Sequence, residues 1–82
     1  MKYTISCSGS RFSTNTDEGY KKLSRENAAK SAIEKILGCR PNEFVPDDGQ
    51  WSWYGKYFWY GVALTPEQEM ACKESGAEIQ PD

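Results

Sequence analysis

Residues 50–64 read Gln50-Trp51-Ser52-Trp53-Tyr54-Gly55-Lys56-Tyr57-Phe58-Trp59-Tyr60-Gly61-Val62-Ala63-Leu64, and the phase assigned to this run decides the fold. Aromatic residues at this density favour extended chain. A glycine followed by one polar residue fits a type II′ turn, so the run predicts a hairpin turning at Gly55-Lys56. That register sets Tyr54 opposite Tyr57, Trp53 opposite Phe58, Ser52 opposite Trp59 and Trp51 opposite Tyr60. Residues directly opposed across a strand pair share a face. One face then collects Trp51, Trp53, Phe58, Tyr60, Val62 and Leu64, the expected core. The other collects Gln50, Ser52, Tyr54, Tyr57 and Trp59. A slip of one residue exchanges these faces.

Upstream, Lys2 to Ser8 alternates, with Tyr3, Ile5 and Cys7 on one side and Lys2, Thr4, Ser6 and Ser8 on the other. This is a strand with one dry and one wet face. Gly9 is placed to host a bulge that returns Phe12 to the core. Residues 13–20 are polar and glycine-containing, the composition of a mobile loop. Ser24 to Leu37 predicts a helix, with Ser24 as N-cap, Glu26 paired with Lys30, and Gly38 as the stop. Its apolar stripe is Ala29, Ala32, Ile33, Ile36 and Leu37.

Residues 39–49 hold two prolines and an Asp47-Asp48-Gly49 turn, and read as a loop anchored by Phe44 and Val45. Thr65-Pro66-Glu67-Gln68 opens a second helix with a capping box, and Gly76 ends it. Its stripe of Met70, Ala71 and Cys72 is poor, so loose docking is expected. Residues 77–82 read as a frayed tail in which Ile79 alone is positioned to pin the chain. The expectation is a single α+β domain, 1–82. It has a three-stranded antiparallel sheet, the first helix on one face, and the order β-α-β-β-α.

Composition narrows the function classes. With 38% hydrophobic and 27% charged residues in an 82-residue chain, a folded domain is expected, with a thin core. Histidine is absent, which removes the commonest general base and metal ligand. Cys7, Cys39 and Cys72 are scattered and odd in number. They fit small half-buried residues of a reducing compartment better than a disulfide framework or zinc ribbon. Glu43, Asp47 and Asp48 lack calcium-loop spacing. Gly9 lacks a phosphate-loop signature. No apolar stretch approaches the length of a membrane span and no signal segment opens the chain, so a cytoplasmic location is expected. Neither cofactor nor metal is expected, and no acid–base or nucleophile constellation marks an enzyme.

The net charge of -2 is polarised. Bases outnumber acids by four before Glu43, and acids outnumber bases by six from there on. Tyr54, Tyr57 and Trp59 on the expected wet face are either covered by the second helix or form an exposed aromatic patch, the composition of an interface. The second alternative gives a protein-binding site of Tyr54, Lys56, Tyr57 and Trp59, flanked by Asp47 and Asp48. A competing reading uses the aromatics to stack single-stranded nucleic acid, with Lys21, Lys22, Arg25 and Lys30 on the phosphates. The acidic second half and the pI near 5.1 weigh against it.

The segment Asn27-Ala28-Ala29-Lys30-Ser31-Ala32, running to Ile36-Leu37-Gly38, in a tiny acidic α+β chain resembles small phage-encoded anti-CRISPR inhibitors. The resemblance implies a stoichiometric inhibitor that docks on a large host protein or ribonucleoprotein complex. The group shares no motif, so no functional residue carries over from it.

Overall fold

The computed structural model describes residues 1–11, 21, 25, 27–49 and 52–82. It is an α+β domain with a four-stranded, fully antiparallel sheet in the order β2-β3-β1-β4. The strands are β1 (Lys2–Ser10), β2 (Glu43–Pro46), β3 (Tyr54–Ala63) and β4 (Glu78–Pro81), and the described helices are α1 (Ala28–Leu37) and α2 (Pro66–Glu74). The chain order is β-α-β-β-α-β, one strand more than the sequence predicts.

The predicted hairpin turn at Gly55-Lys56 is replaced by unbroken strand. β3 runs through both residues as a central strand, with Gly55 beside Gly9 of β1 and Pro46 of β2. Gly55 is there for want of space. A Cβ on it would stand 2.2 Å from the Val45 carbonyl oxygen and 2.8 Å from Phe44 Cζ. Neighbouring Gly9 is equally confined, since a Cβ would meet Tyr57 Cε2 at 2.5 Å and Asn27 Oδ1 at 2.6 Å. The Phe44 and Tyr57 rings, centroids 4.8 Å apart, roof this glycine pair. The hairpin partner of β3 is β2, in the segment read as a loop, and the turn between them starts at Asp47 and Asp48. Gly9 hosts no bulge.

The bulge lies in β3 instead. Tyr3 pairs with Val62 but Ile5 pairs with Trp59, so β3 carries one extra residue, and Gly61 there has φ +60°. A glycine in the left-handed region is the usual seat of such a bulge. It turns both Trp59 and Val62 inward although they are three residues apart. The core is Ile5, Cys7, Ile33, Trp59 and Cys72, with Ala29, Ile36, Leu37, Tyr57, Val62, Leu64, Ala77 and Ile79 packed against it. The expected face assignment is therefore reversed at its centre. Trp59 is fully buried by the continuous strand, whereas Trp53 lies just before β3 begins at Tyr54 and is 53% exposed.

α1 lies on the inner face of the sheet through Ala29, Ile33, Ile36 and Leu37. Gly38 caps its end at φ 73°, its N–H donating to the Glu34 carbonyl at 2.8 Å. Asn27 precedes the helix, and its side chain turns to β1. Oδ1 accepts from Ser10 N–H at 2.7 Å and Nδ2 donates to Ser10 C=O at 2.8 Å. The amide thus satisfies a buried stretch of strand that β4 does not reach. Phe12, the loop at 13–20, Ser24 and the Glu26 partner of Lys30 fall outside the described residues.

α2 starts as read. Thr65 Oγ1 accepts from Gln68 N–H at 3.1 Å, and Gln68 Oε1 accepts from Thr65 N–H at 3.0 Å. Its docking is narrow, with Cys72 buried and Met70 65% exposed. The expected frayed tail is β4, which pairs with β1 from Tyr3 to Ser6. Asp82 N–H donates to Lys2 C=O at 3.0 Å, and Thr4 Oγ1 donates to Asp82 Oδ1 at 2.7 Å.

Bonding alternates along an antiparallel pair. Asp47 and Asp82 donate inward, to Tyr54 and Lys2, so Phe44 and Pro46 of β2, and Ile79 and Pro81 of β4, turn their backbone groups outward. Each outer strand therefore places a proline, with no N–H to offer, on its open edge. No helix among the described residues is long and apolar enough to cross a membrane.

Candidate protein-binding face

Both helices pack on the inner side, and among the described residues no helix crosses the other. β3 supplies the spine of this outer face: Tyr54, Lys56, Phe58 and Tyr60, alternating with the inward Gly55, Tyr57 and Trp59. Register places Glu43, Phe58, Ser6 and Glu78 in one row across all four strands, and Val45, Lys56 and Ser8 in the next. With strands about 4.8 Å apart, Glu43 and Glu78 stand about 14 Å from each other along that row. Thr4 and Gln80 pair beyond it.

The aromatic ridge is built, not merely exposed. The Phe58 and Tyr60 rings are parallel within 5°, with centroids 6.0 Å apart. Tyr60 O–H donates to the Glu43 carboxylate, and this bond is the main reason the Tyr60 hydroxyl is pushed above its ordinary pKa. Asn42 fixes the backbone beside it, donating N–H to Phe58 C=O at 2.8 Å and accepting Tyr60 N–H on Oδ1 at 2.9 Å. Tyr54 and Tyr60 are each 47% exposed and Val45 is 42% exposed. Lys56 Nζ reaches Glu78 Oε2 at 4.0 Å across β1, beside a cleft of about 60 Å³ lined by Ser6, Cys7, Ser8, Lys56, Gly76 and Glu78.

Of the residues expected to bind a partner, the structure brings Tyr54 and Lys56 to this face and leaves Asp47 and Asp48 exposed in the turn at one end. Tyr57 and Trp59 are corrections, because both point into the inner layer. Trp59 Nε1 donates to the Cys39 carbonyl at 3.2 Å, and Tyr57 O–H donates to Ser10 C=O at 2.8 Å. Burial raises the Tyr57 pKa, and burial likewise pushes the Cys7 thiol up to about 11, the nearby Lys30 opposing and Glu34 assisting. Phe58, Tyr60, Val45, Glu43 and Glu78 are the face residues that the sequence reading did not place in a site. The signal that finds Phe58 and Tyr60 is the glycine at 61, which seats the bulge in β3.

The pieces of the nucleic-acid reading do not converge on this face. Lys30 lies on the inner side, 3.3 Å from Glu34 and 5.0 Å from the Tyr57 ring centroid. Lys21 and Arg25 are exposed, and Lys22 is outside the described residues. Among the described residues no group of three or more Cys, Asp or Glu is arranged to hold a metal ion. No family model, no curated protein and no solved structure matches the chain.

Proposed function

We propose that this domain is a non-catalytic protein-binding module that docks on a larger partner through the outer face of its sheet. The observation that carries the reading is the ordered ridge of Tyr54, Phe58 and Tyr60 on a sheet face that no described helix covers. Aromatic side chains held in place lose little entropy on association and anchor interfaces. The prolines on both outer strands disfavour strand addition, which directs association to the face. The inhibitor role implied by the resemblance is a narrower form of this reading, in which the partner is a host complex.

The test is capture from host lysate on the immobilised domain, with and without nuclease, comparing wild type with Tyr60→Ala, Tyr54→Ala and the helix-side control Met70→Ala. A partner retained after nuclease treatment, weakened by each tyrosine substitution by about 2 kcal/mol and indifferent to Met70→Ala, supports the reading. Retention that disappears with the nucleic acid turns the assignment to the stacking alternative. Retention indifferent to both tyrosines overturns the face.

A further inference from the structure

The outer face is not flat. In its middle β1 contributes the small Thr4, Ser6 and Ser8 to it, between the taller β3 row of Lys56, Phe58 and Tyr60 and the β4 residues Glu78 and Gln80. Small side chains between two rows of large ones leave a trough along β1, and the cleft beside Ser6, Ser8, Lys56 and Glu78 opens at one end of it. One wall is the β3 row, with the Phe58 and Tyr60 rings in it; the other carries the Glu78 carboxylate, while Glu43 lies on β2 behind the aromatic row.

Given the protein-binding reading above, on which this inference rests, we infer that the trough receives arginine side chains from an extended basic segment of the partner. Three features select that chemistry. A planar guanidinium stacks on aromatic rings and takes a carboxylate through paired N–H donors, and this trough offers both. Among the described residues the outer face and its turn carry Glu43, Asp47, Asp48, Glu78 and Asp82 against Lys2 and Lys56, so an incoming cation is favoured and a phosphate is not. The present occupant of Glu78 is Lys56, at 4.0 Å with the two side chains 46% and 69% exposed, a contact loose enough to yield. A trough running along a strand suits an extended segment, and the proline-blocked edges keep that segment on the face.

The experiment is a titration of the ¹⁵N-labelled domain with a peptide of alternating arginine and glycine, followed by backbone amide shifts, with lysine–glycine and glutamate–glycine peptides alongside. The expected result is saturable movement at Ser6, Ser8, Phe58, Tyr60 and Glu78 with arginine, weaker movement with lysine, and none with glutamate. Glu78→Lys weakens the arginine peptide at least tenfold. Glu67→Lys on α2, an identical change in net charge, leaves it within twofold. Circular dichroism of both variants checks that each is folded. Shifts centred on α2, equal weakening by the two variants, or no saturation at millimolar peptide overturns the inference. If a captured partner depends on Tyr54 and Tyr60 while the arginine peptide does not bind, the occupant is wrong and the protein-binding reading stands.

Discussion

Truncating Trp59 to alanine separates the unbroken β3 from the Gly55-Lys56 hairpin, in which Trp53 rather than Trp59 is the core residue. Trp59 is 0% exposed, and its indole N–H holds the Cys39 carbonyl at 3.2 Å. A tryptophan side chain buries on the order of 200 Å², which at about 25 cal/mol per Å² is roughly 5 kcal/mol of transfer free energy. Truncations of this type cost about 3–5 kcal/mol. An 82-residue domain has a total stability of roughly 4–12 kcal/mol, so Trp59→Ala brings the fold to the edge of unfolding or past it. Trp53→Ala, more than half exposed, is expected to cost about 1 kcal/mol or less. Urea unfolding followed by far-UV circular dichroism measures both, and unlike tryptophan fluorescence it survives loss of the indole. A Trp59→Ala protein within about 1 kcal/mol of wild type, with Trp53→Ala unfolded, would refute the phase and with it the outer face.

Gly9→Ala is expected to destabilise by about 1–3 kcal/mol, because the new methyl group meets the Tyr57 ring and Asn27 Oδ1, both held by Ser10, at 2.5 and 2.6 Å; the same urea melts check it, and a neutral result would mean the roof over this glycine is soft. The Cys7 thiol is raised from 9.0 to about 11 chiefly by burial, so the folded state holds its proton longer than the unfolded state, and stability is level below about pH 9 and falls as pH rises towards 11. Cys7→Ala should make that alkaline decline shallower in urea midpoints measured from pH 7 to 10.5, and an unchanged decline would assign it to the other raised groups, Tyr57, Tyr60 and Cys72.

Local signals were legible where one residue type answers one geometric demand. Thr65, Pro66 and Gln68 specify a helix start whatever the rest of the chain does. Gly38 specifies a helix end, and the Tyr3-Ile5-Cys7 alternation specifies a half-buried strand. The aromatic run was not legible in the same way, because Tyr57 and Trp59 alternate with Phe58 and Tyr60. Both parities are aromatic, so hydrophobic contrast cannot choose a face. Glycine is equally at home in a turn, in a bulge and under a neighbouring ring. Gly55 is of the third kind and Gly61 of the second, a distinction made by Phe44 and by β1, which are distant in sequence. β2 was hidden by Pro46, which reads as a loop until the strand is known to lie at an edge with its nitrogen outward. The candidate face inherits the same dependence: Tyr54 falls on it in the hairpin as in the continuous strand, whereas Phe58 and Tyr60 exchange places with Tyr57 and Trp59.

The two outward prolines also bear on what happens when many copies meet. A sheet with bare edges is a seed: each molecule templates the next, and growth, once started, has no natural end. Here Pro46 and Pro81 act as end-stops on opposite flanks, so neither flank is a growth front for ordered stacking. An interaction face rich in aromatic side chains can then be carried at high concentration without the chain becoming its own preferred ligand. Exchanging both prolines for valine would leave the core untouched and open both fronts at once, and a rise in thioflavin-positive fibres on storage would show what the prolines suppress.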